Sequence, residues 1–177
     1  MTCPEEAQDP MQAMHSFTPS PENSREFRDA LGRFGTGITV VTAASGEGPV
    51  GMTVNSFSSV SLDPPLVLWS PAKSSRRFAH FQAAEHFAIH VLSHRQEQIC
   101  HGFSRSAYAF DKLDWVRNEQ GVPLIEGCLS RFECRRRATY EGGDHMIVVG
   151  EVMRASTTDG APLLFYRGSL GEFLRRD

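Results

Sequence analysis

The sequence predicts a mainly β protein with a few helices, folded as a small and mostly antiparallel barrel. At least six short β-branched or apolar runs are separated by turns containing Gly or Pro, and two or three segments have apolar residues at helical spacing. The chain has 177 residues, of which 40% are hydrophobic, and this is enough for one packed core. We therefore expect a single folded domain.

The elements are expected in a definite order along the chain. Residues 1–22 contain four prolines and no sustained period, so we expect a flexible N-terminal tail ahead of a folded domain spanning 23–177. Apolar residues at helical spacing or capping serines predict helices over 24–34, 74–84 and 96–103. Strands are predicted over 38–43, 50–55, 66–69, 87–92, 129–138, 146–153 and 162–166.

Charge and cysteine content exclude several classes of function. The formal net charge of -3 gives no long-range attraction to nucleic acid or to an anionic membrane, so neither is expected as a partner. No apolar run approaches the roughly 20 residues of a bilayer span. The four cysteines lack the paired spacing of zinc or dithiol sites, which favours a cytoplasmic protein with reduced thiols.

Two patterns resemble binding motifs that the surrounding residues do not support. Residues 46–51 match the dinucleotide-binding glycine pattern, but strand residues follow them where a helix is required, so a β-hairpin turn is expected. His86, His90 and His94 recur every four residues, which on a helix is a credible metal site. Their neighbours favour a strand, where His86 and His90 stand about 13 Å apart, so no metal is expected.

The most distinctive segment spans residues 51–66. It places five hydroxyl side chains and one carboxamide between two apolar strand-like runs, and it stops at a double proline. Small polar side chains allow backbone N–H groups to approach a planar, hydrogen-bonding ligand closely. The alternative is an edge strand whose hydroxyl groups face water.

Two further segments are candidates for the same site. Ser74, Ser75 and Arg76 stand at a predicted helix start, where hydroxyl groups, N–H donors and fixed charge favour an anion; the alternative is an ordinary capped helix. His145 follows a Gly-Gly-Asp turn at the start of a strand, where its near-neutral pKa suits it to donate a hydrogen bond or a proton. The alternative is a surface histidine on a turn.

Nine segments between about residues 25 and 170 occur in an order that is quite specific. They are 34–42, 51–66, 74–76, 87–92, 103 with 111–113, 121–124, 143–145, 150–152 and 162–168. As a set they resemble the flavin reductase-like family, which is built on the FMN-binding split barrel. The resemblance implies a homodimer of six-stranded, antiparallel Greek-key split barrels with peripheral helices, and flavin bound near the subunit interface.

The resemblance also implies residue roles. The isoalloxazine ring and ribityl chain are expected against Thr53, Val54, Asn55, Ser56 and Ser58, and the flavin phosphate against Ser74, Ser75 and Arg76. Asp144 and His145 are expected beside the cofactor, with His145 as the catalytic residue where the nicotinamide stacks. Two positions depart from the family, which often has Asn in place of His90 and Thr in place of Arg77. His90 is expected to change how the ring is held, and Arg77 to favour an extra phosphate, as in FAD or NADPH.

The function implied is an NAD(P)H:flavin oxidoreductase. It would pass a hydride from NADH or NADPH to N5 of FMN or FAD and supply the reduced flavin to a separate monooxygenase. The alternative is a non-enzymatic flavoprotein that carries FMN or exchanges electrons. A split-barrel oxidase for a pyridoxine-like substrate is disfavoured, since no second basic cluster awaits a substrate phosphate.

Overall fold

β-Branched and apolar runs form twelve strands in the described part of the chain. The computed structural model describes residues 14–173, and most of the predicted tail, residues 1–13, lies outside them. The strands are β1 (Thr36–Gly37), β2 (Thr39–Ser45), β3 (Gly48–Val54), β4 (Ser58–Leu62), β5 (Pro65–Trp69), β6 (His86–Val91), β7 (Trp115–Arg117), β8 (Pro123–Ile125), β9 (Ser130–Gly142), β10 (His145–Thr157), β11 (Leu163–Tyr166) and β12 (Ser169–Glu172).

Three α-helices lie between these strands. They are α1 (Ser24–Leu31), α2 (Phe78–Ala83) and α3 (Glu97–Arg105), with single 3-10 turns at Pro21–Asn23 and His94–Gln96. None of the helices within residues 14–173 has the length and apolar character needed to cross a membrane.

Seven strands form one sheet in the order β3-β2-β6-β9-β10-β5-β4. Each neighbouring pair in it is antiparallel. Separate small sheets contain β1, β11 and β12, and β7 with β8. The mainly β class with a few helices is confirmed, while the main sheet has seven strands rather than the six expected.

Strands from distant positions in the sheet contribute side chains to one core. Met52 of β3 and Trp69 of β5 are separated by four strands in the sheet order, yet both belong to the same buried cluster. The Trp69 ring lies 5.2 Å from that of Phe81 and 5.9 Å from that of Phe87. Full burial of such side chains contributes about 1.5–3 kcal/mol each. The sheet must therefore curve around this cluster.

A second cluster attaches α3 to the sheet. Phe103 of α3 is fully buried and packs against Phe110 and against the backbone of Gly51. A Cβ atom at Gly51 would lie 2.4 Å from the Phe103 ring, so this strand position has room for glycine alone. The close approach fixes strand β3, which leads into the hydroxyl-rich part of residues 51–66, here called the polar segment.

The structure settles several local predictions. The glycine pattern at 46–51 is a β-hairpin, as predicted, because Ser45 pairs with Gly48 between β2 and β3. His86 and His90 lie on a strand, β6, also as predicted. The prediction that a helix begins at Ser74 or Ser75 was wrong, since α2 begins at Phe78.

Candidate functional site

The three predicted site segments meet at the end of β5. Residues 70–73, which we call the exit segment, follow Trp69 and lead directly into residues 74–76, the serine turn. Ser56 is held against the exit segment because its Oγ accepts a hydrogen bond from the Ser70 N–H at 2.9 Å and donates to the Ser70 carbonyl at 3.3 Å. The polar segment and the serine turn are therefore adjacent.

The His145 hairpin, formed by β9, β10 and the turn between them, is fixed to the same exit segment. Ala72 and His145 form an antiparallel bridge. The Met146 N–H donates to the Pro71 carbonyl at 3.1 Å, and the Lys73 N–H donates to the Asp144 carbonyl at 2.9 Å. These backbone contacts place His145 opposite Ala72, two residues before the serine turn begins.

The serine turn is built by local hydrogen bonds rather than by a helix start. The Ser75 N–H donates to the Ala72 carbonyl at 3.0 Å, and the Phe78 N–H donates to the Ser75 carbonyl at 3.0 Å. The Ser75 hydroxyl accepts from the Arg77 N–H at 3.3 Å, which is the kind of local bond with which serine competes against a helix. An anion bound here would accept hydrogen bonds from turn N–H groups, the serine hydroxyls and Arg76. The dipole of α2 would not contribute, because the helix begins only at Phe78.

His145 has one ring nitrogen committed and is partly exposed. Its Nδ1 lies 2.8 Å from Asp144 Oδ1, and 42% of its side chain is accessible. The hydrogen bond from His145 lowers the pKa of the Asp144 carboxyl, which therefore stays ionised and accepts the Nδ1 proton. In the neutral ring, Nε2 is then a free acceptor, and in the charged ring it is a donor.

The polar segment divides into structural and exposed hydroxyl groups. Thr53 donates its hydroxyl proton to the Cys100 carbonyl of α3 at 2.7 Å, and Val54 packs against the first core cluster. Ser58 is exposed on β4, which is an edge strand of the sheet, and bonds only to the neighbouring Ser59 carbonyl at 3.2 Å. Ser58 thus lies on an edge strand, where the alternative reading places it, and Asn55 and Ser56 line a cleft.

That cleft has a volume of about 900 Å³ and is mainly apolar. Such a volume is in the range of roughly 300–1,000 Å³ typical of small-molecule sites. The Thr36 hydroxyl, which also lines it, is buried without a hydrogen-bond partner among residues 14–173. A polar ligand that enters the cleft would satisfy this orphaned group.

Sequence reasoning missed most of the residues that line this cleft. They include Arg28, Leu31, Phe34, Phe165 and Arg167. The available signal was α1, whose apolar residues follow helical spacing although no residue of the helix is buried. An amphipathic helix without a core is typical of a site or an interface.

His90 and Arg77 have structural roles that differ from those expected. His90 is fully buried, and its two ring nitrogens bond to the Val40 carbonyl and the Ile125 N–H, each at 3.0 Å. The prediction that His90 affects the flavin ring was therefore wrong. The Arg77 guanidinium donates to the Phe103 and Ser104 carbonyls at 2.6 and 2.9 Å and so caps the C-terminus of α3. Its expected role at a second phosphate is not supported.

In the described part of the chain, four other cavities are lined by none of the residues predicted to bind the flavin or the nicotinamide. A pocket of about 450 Å³ between α2 and the β2–β3 hairpin is lined by His80, Glu85 and His86 among others. No group of three or more His, Cys, Asp or Glu side chains within residues 14–173 is arranged to hold a metal ion. The converging segments at the end of β5 remain the best candidate site.

Known proteins with similar sequences are flavin reductases. A family model described as flavin reductase like domain matches residues 31–173. The chain is 62% identical to FMN reductase (NADH) SmoA of Agrobacterium fabrum, over 92% of this chain and 93% of that protein. It is 41% identical to HsaB of Mycobacterium tuberculosis, the reductase subunit of a flavin-dependent monooxygenase, over 81% of this chain and 79% of that protein.

The fold is also similar to that of a solved oxidoreductase structure. NADH:FAD oxidoreductase SgcE6 from Streptomyces globisporus aligns with a TM-score of 0.85 and 38% identity, covering 95% of this chain and 98% of that one. The similarity therefore extends over both the fold and the segments that form the candidate site.

Proposed function

Because the chain belongs to the flavin reductase-like domain family, we propose that the candidate site holds a flavin and a nicotinamide side by side. The protein is an NAD(P)H-dependent flavin reductase that supplies reduced FMN or FAD to a partner monooxygenase. The observation that carries the placement is the convergence of Ser56, the serine turn and His145 on the exit segment.

The residues present suit a flavin phosphate and ring. Ser74 and Arg76 are exposed, and within residues 14–173 neither side chain has a hydrogen-bond or ion-pair partner. Together with Ser75 they would hold the phosphate, since a hydroxyl and a guanidinium both donate to phosphate oxygens. Asn55, Ser56 and the orphaned Thr36 hydroxyl would bind the polar edge of the ring, with Thr53, Val54 and Ser58 shaping the approach.

His145 would act at the nicotinamide. When bound, the flavin supplies the redox chemistry by accepting the hydride at N5. In its charged form the His145 ring would donate a hydrogen bond or a proton through Nε2, because Asp144 accepts the Nδ1 proton. Asp144 thereby fixes the orientation of the catalytic ring.

The uncovered face of α1 supports the homodimer expected from the family. Phe27 and Leu31 of α1 and Phe34 just after it are 43%, 59% and 78% exposed. Tyr166, the last residue of β11, is 50% exposed. A second copy that covers this face would remove apolar surface from water and close the cleft. Light scattering should give a particle mass of twice the 19.7 kDa chain mass. Leu31→Glu should lower the measured mass toward that of a monomer.

Three wider proposals complete this assignment. The curved seven-stranded sheet corresponds to the family's six-stranded split barrel with one added edge strand, which the shared core of β3 and β5 supports. Residues 23–177 form the catalytic domain and 1–22 its tail. The protein acts in the cytoplasm, which agrees with Cys100, Cys128 and Cys134 being free and buried.

The test is oxidation of NADH and NADPH by purified protein, with and without added FMN or FAD. Fast oxidation that depends on added flavin is expected of a reductase that releases its product. A yellow protein that retains flavin and oxidises neither nicotinamide would instead be a flavin carrier, and the proposed function would fall.

A further inference from the structure

Lys73 joins the serine turn to the His145 hairpin. It is the last residue of the exit segment, and the only other lysine of the chain is Lys112. The Lys73 ammonium donates to the Gly143 carbonyl at 2.7 Å and also to the Glu141 carboxylate. Both acceptors lie on the same hairpin, one at the end of β9 and one in its turn.

We propose, on the basis of the reductase function assigned above, that Lys73 is a positioning residue for the nicotinamide step. Its ammonium holds the turn that presents His145, so that the ring keeps a fixed place beside the flavin phosphate site. Lys73 touches neither reacting ring. Its action on catalysis runs through His145.

The geometry favours this holding role of Lys73, which we call the latch, over that of an ordinary surface ion pair. Exposed pairs contribute little when both partners are free to move. Here the Lys73 backbone is already fixed by its bond to the Asp144 carbonyl at 2.9 Å. The Lys73 side chain is 35% exposed, while that of Glu141 is 84% exposed but stands on the paired strand β9. Gly143 has a φ of 71°, so the turn that Lys73 grips has a backbone conformation suited to glycine. One side chain thus adds a charged hydrogen bond to the end of β9 and another to the turn that follows it.

The competing role for Lys73 is a direct contact with the flavin phosphate from the adjacent serine turn. The two roles predict different substrate dependence. If Lys73 contacts the flavin phosphate, its replacement should change the kinetics with FMN but not with riboflavin, which lacks the phosphate. If Lys73 instead holds the His145 hairpin, its replacement should slow the reaction with NADH by the same factor for either flavin.

The experiment compares Lys73→Met with Lys73→Arg, and with Lys112→Met as the matched control at an exposed site. We expect Lys73→Met to lower kcat with NADH about threefold to tenfold and to leave the KM for FMN within about twofold, as for loss of a charge-assisted bond at a partly exposed site. The effect should be the same with riboflavin. Lys73→Arg should restore much of the loss because it can still donate to both acceptors, and Lys112→Met should behave as the wild type.

Dependence on His145 is the decisive readout. In a His145→Ala background, Lys73→Met should cause no further fall in kcat with NADH, because the residue that it positions is gone. Equal effects with and without His145, an effect on FMN but not on riboflavin, or no effect at all would each overturn the proposal.

Hydrogen exchange tests the latch without any turnover. The backbone amides of residues 143–146 should exchange faster in Lys73→Met than in Lys112→Met or the wild type. Unchanged exchange would contradict the latch. If the wild type fails to oxidise NADH, the proposed function falls, while this measurement still decides whether Lys73 holds the hairpin.

Discussion

His90 and His145 have the same side chain and opposite environments. His90 is the second-to-last residue of β6 and has no accessible surface, and both of its ring nitrogens are bonded to backbone groups. His145 begins β10 beside the serine turn, and within residues 14–173 only its Nδ1 has a partner, Asp144.

The difference shows how burial divides structural from reactive histidines. Ile125 donates its N–H to His90 Nε2, so this nitrogen carries no proton, and Nδ1–H donates to the Val40 carbonyl. Burial, followed by a smaller effect of Arg131, lowers the pKa of His90 from 6.5 to about 4. His90 is therefore a neutral brace between β2, β6 and β8, whereas His145 keeps a nitrogen for chemistry.

Replacing His90 should produce the largest effect, and it should be on stability. His90→Phe removes the ring's hydrogen bonds to the buried Val40 carbonyl and Ile125 N–H, which should lower the free energy of unfolding by about 3–5 kcal/mol. Urea titration followed by circular dichroism measures this. His90→Asn, which retains a donor and an acceptor, should lose less. Equal stability of His90→Phe and the wild type would show that the brace contributes nothing.

Replacing His145 should have the converse result. His145→Ala should lower kcat with NADH about 100-fold, in the range for loss of one acid–base group, while flavin affinity and unfolding free energy stay close to wild type. Steady-state NADH oxidation and flavin fluorescence quenching measure the two quantities. If turnover is unchanged, His145 has no part in the reaction.

Acid should weaken the fold through His90. Between pH 6.5 and about 4 the unfolded chain binds a proton at this residue that the folded chain does not. The free energy of unfolding should therefore fall as pH falls through this window, by at most about 3 kcal/mol, and this contribution should be constant above it. The difference in unfolding free energy between the wild type and His90→Asn, followed against pH, isolates the effect. A pH-independent difference would contradict the buried neutral ring.

The smallest effect is expected at Asp144. Asp144→Asn keeps an acceptor for Nδ1 but removes the charge, so kcat should fall only about threefold to tenfold, as for a positioning group that is well exposed to solvent. The matched change Asp159→Asn, on a charged residue outside the site, should leave kcat unaltered. A loss as large as that of His145→Ala would mean that Asp144 does more than orient the ring.

Local patterns were sufficient to predict much of this fold. β-Branched runs predicted the strands that build the core, such as β2 and β6, because their side chains fit a pleated and buried surface. The short strands β1, β7, β8 and β12 were missed, since two to four residues carry no readable period. Strand β4 was considered only as the edge-strand alternative to a binding segment. The late start of α2 was missed because Ser75 satisfies backbone groups locally.

The site was predictable in part. The polar segment, the serine turn and His145 were chosen by residue type and by family resemblance, and the structure brings them together through hydrogen bonds that no local pattern encodes. The roles of His90 and Arg77 were misjudged because each depends on partners far away in sequence, such as Ile125 and Phe103. Side-chain satisfaction in the core is a property of the tertiary fold.

The most direct test of this division between the two histidines is the rate of flavin reduction in a single anaerobic turnover at saturating NADH. Folded His90→Asn protein should reduce bound flavin at nearly the wild-type rate. His145→Ala should reduce it about 100-fold more slowly. Slow reduction in His90→Asn together with fast reduction in His145→Ala would contradict the account and place the reactive histidine in the core.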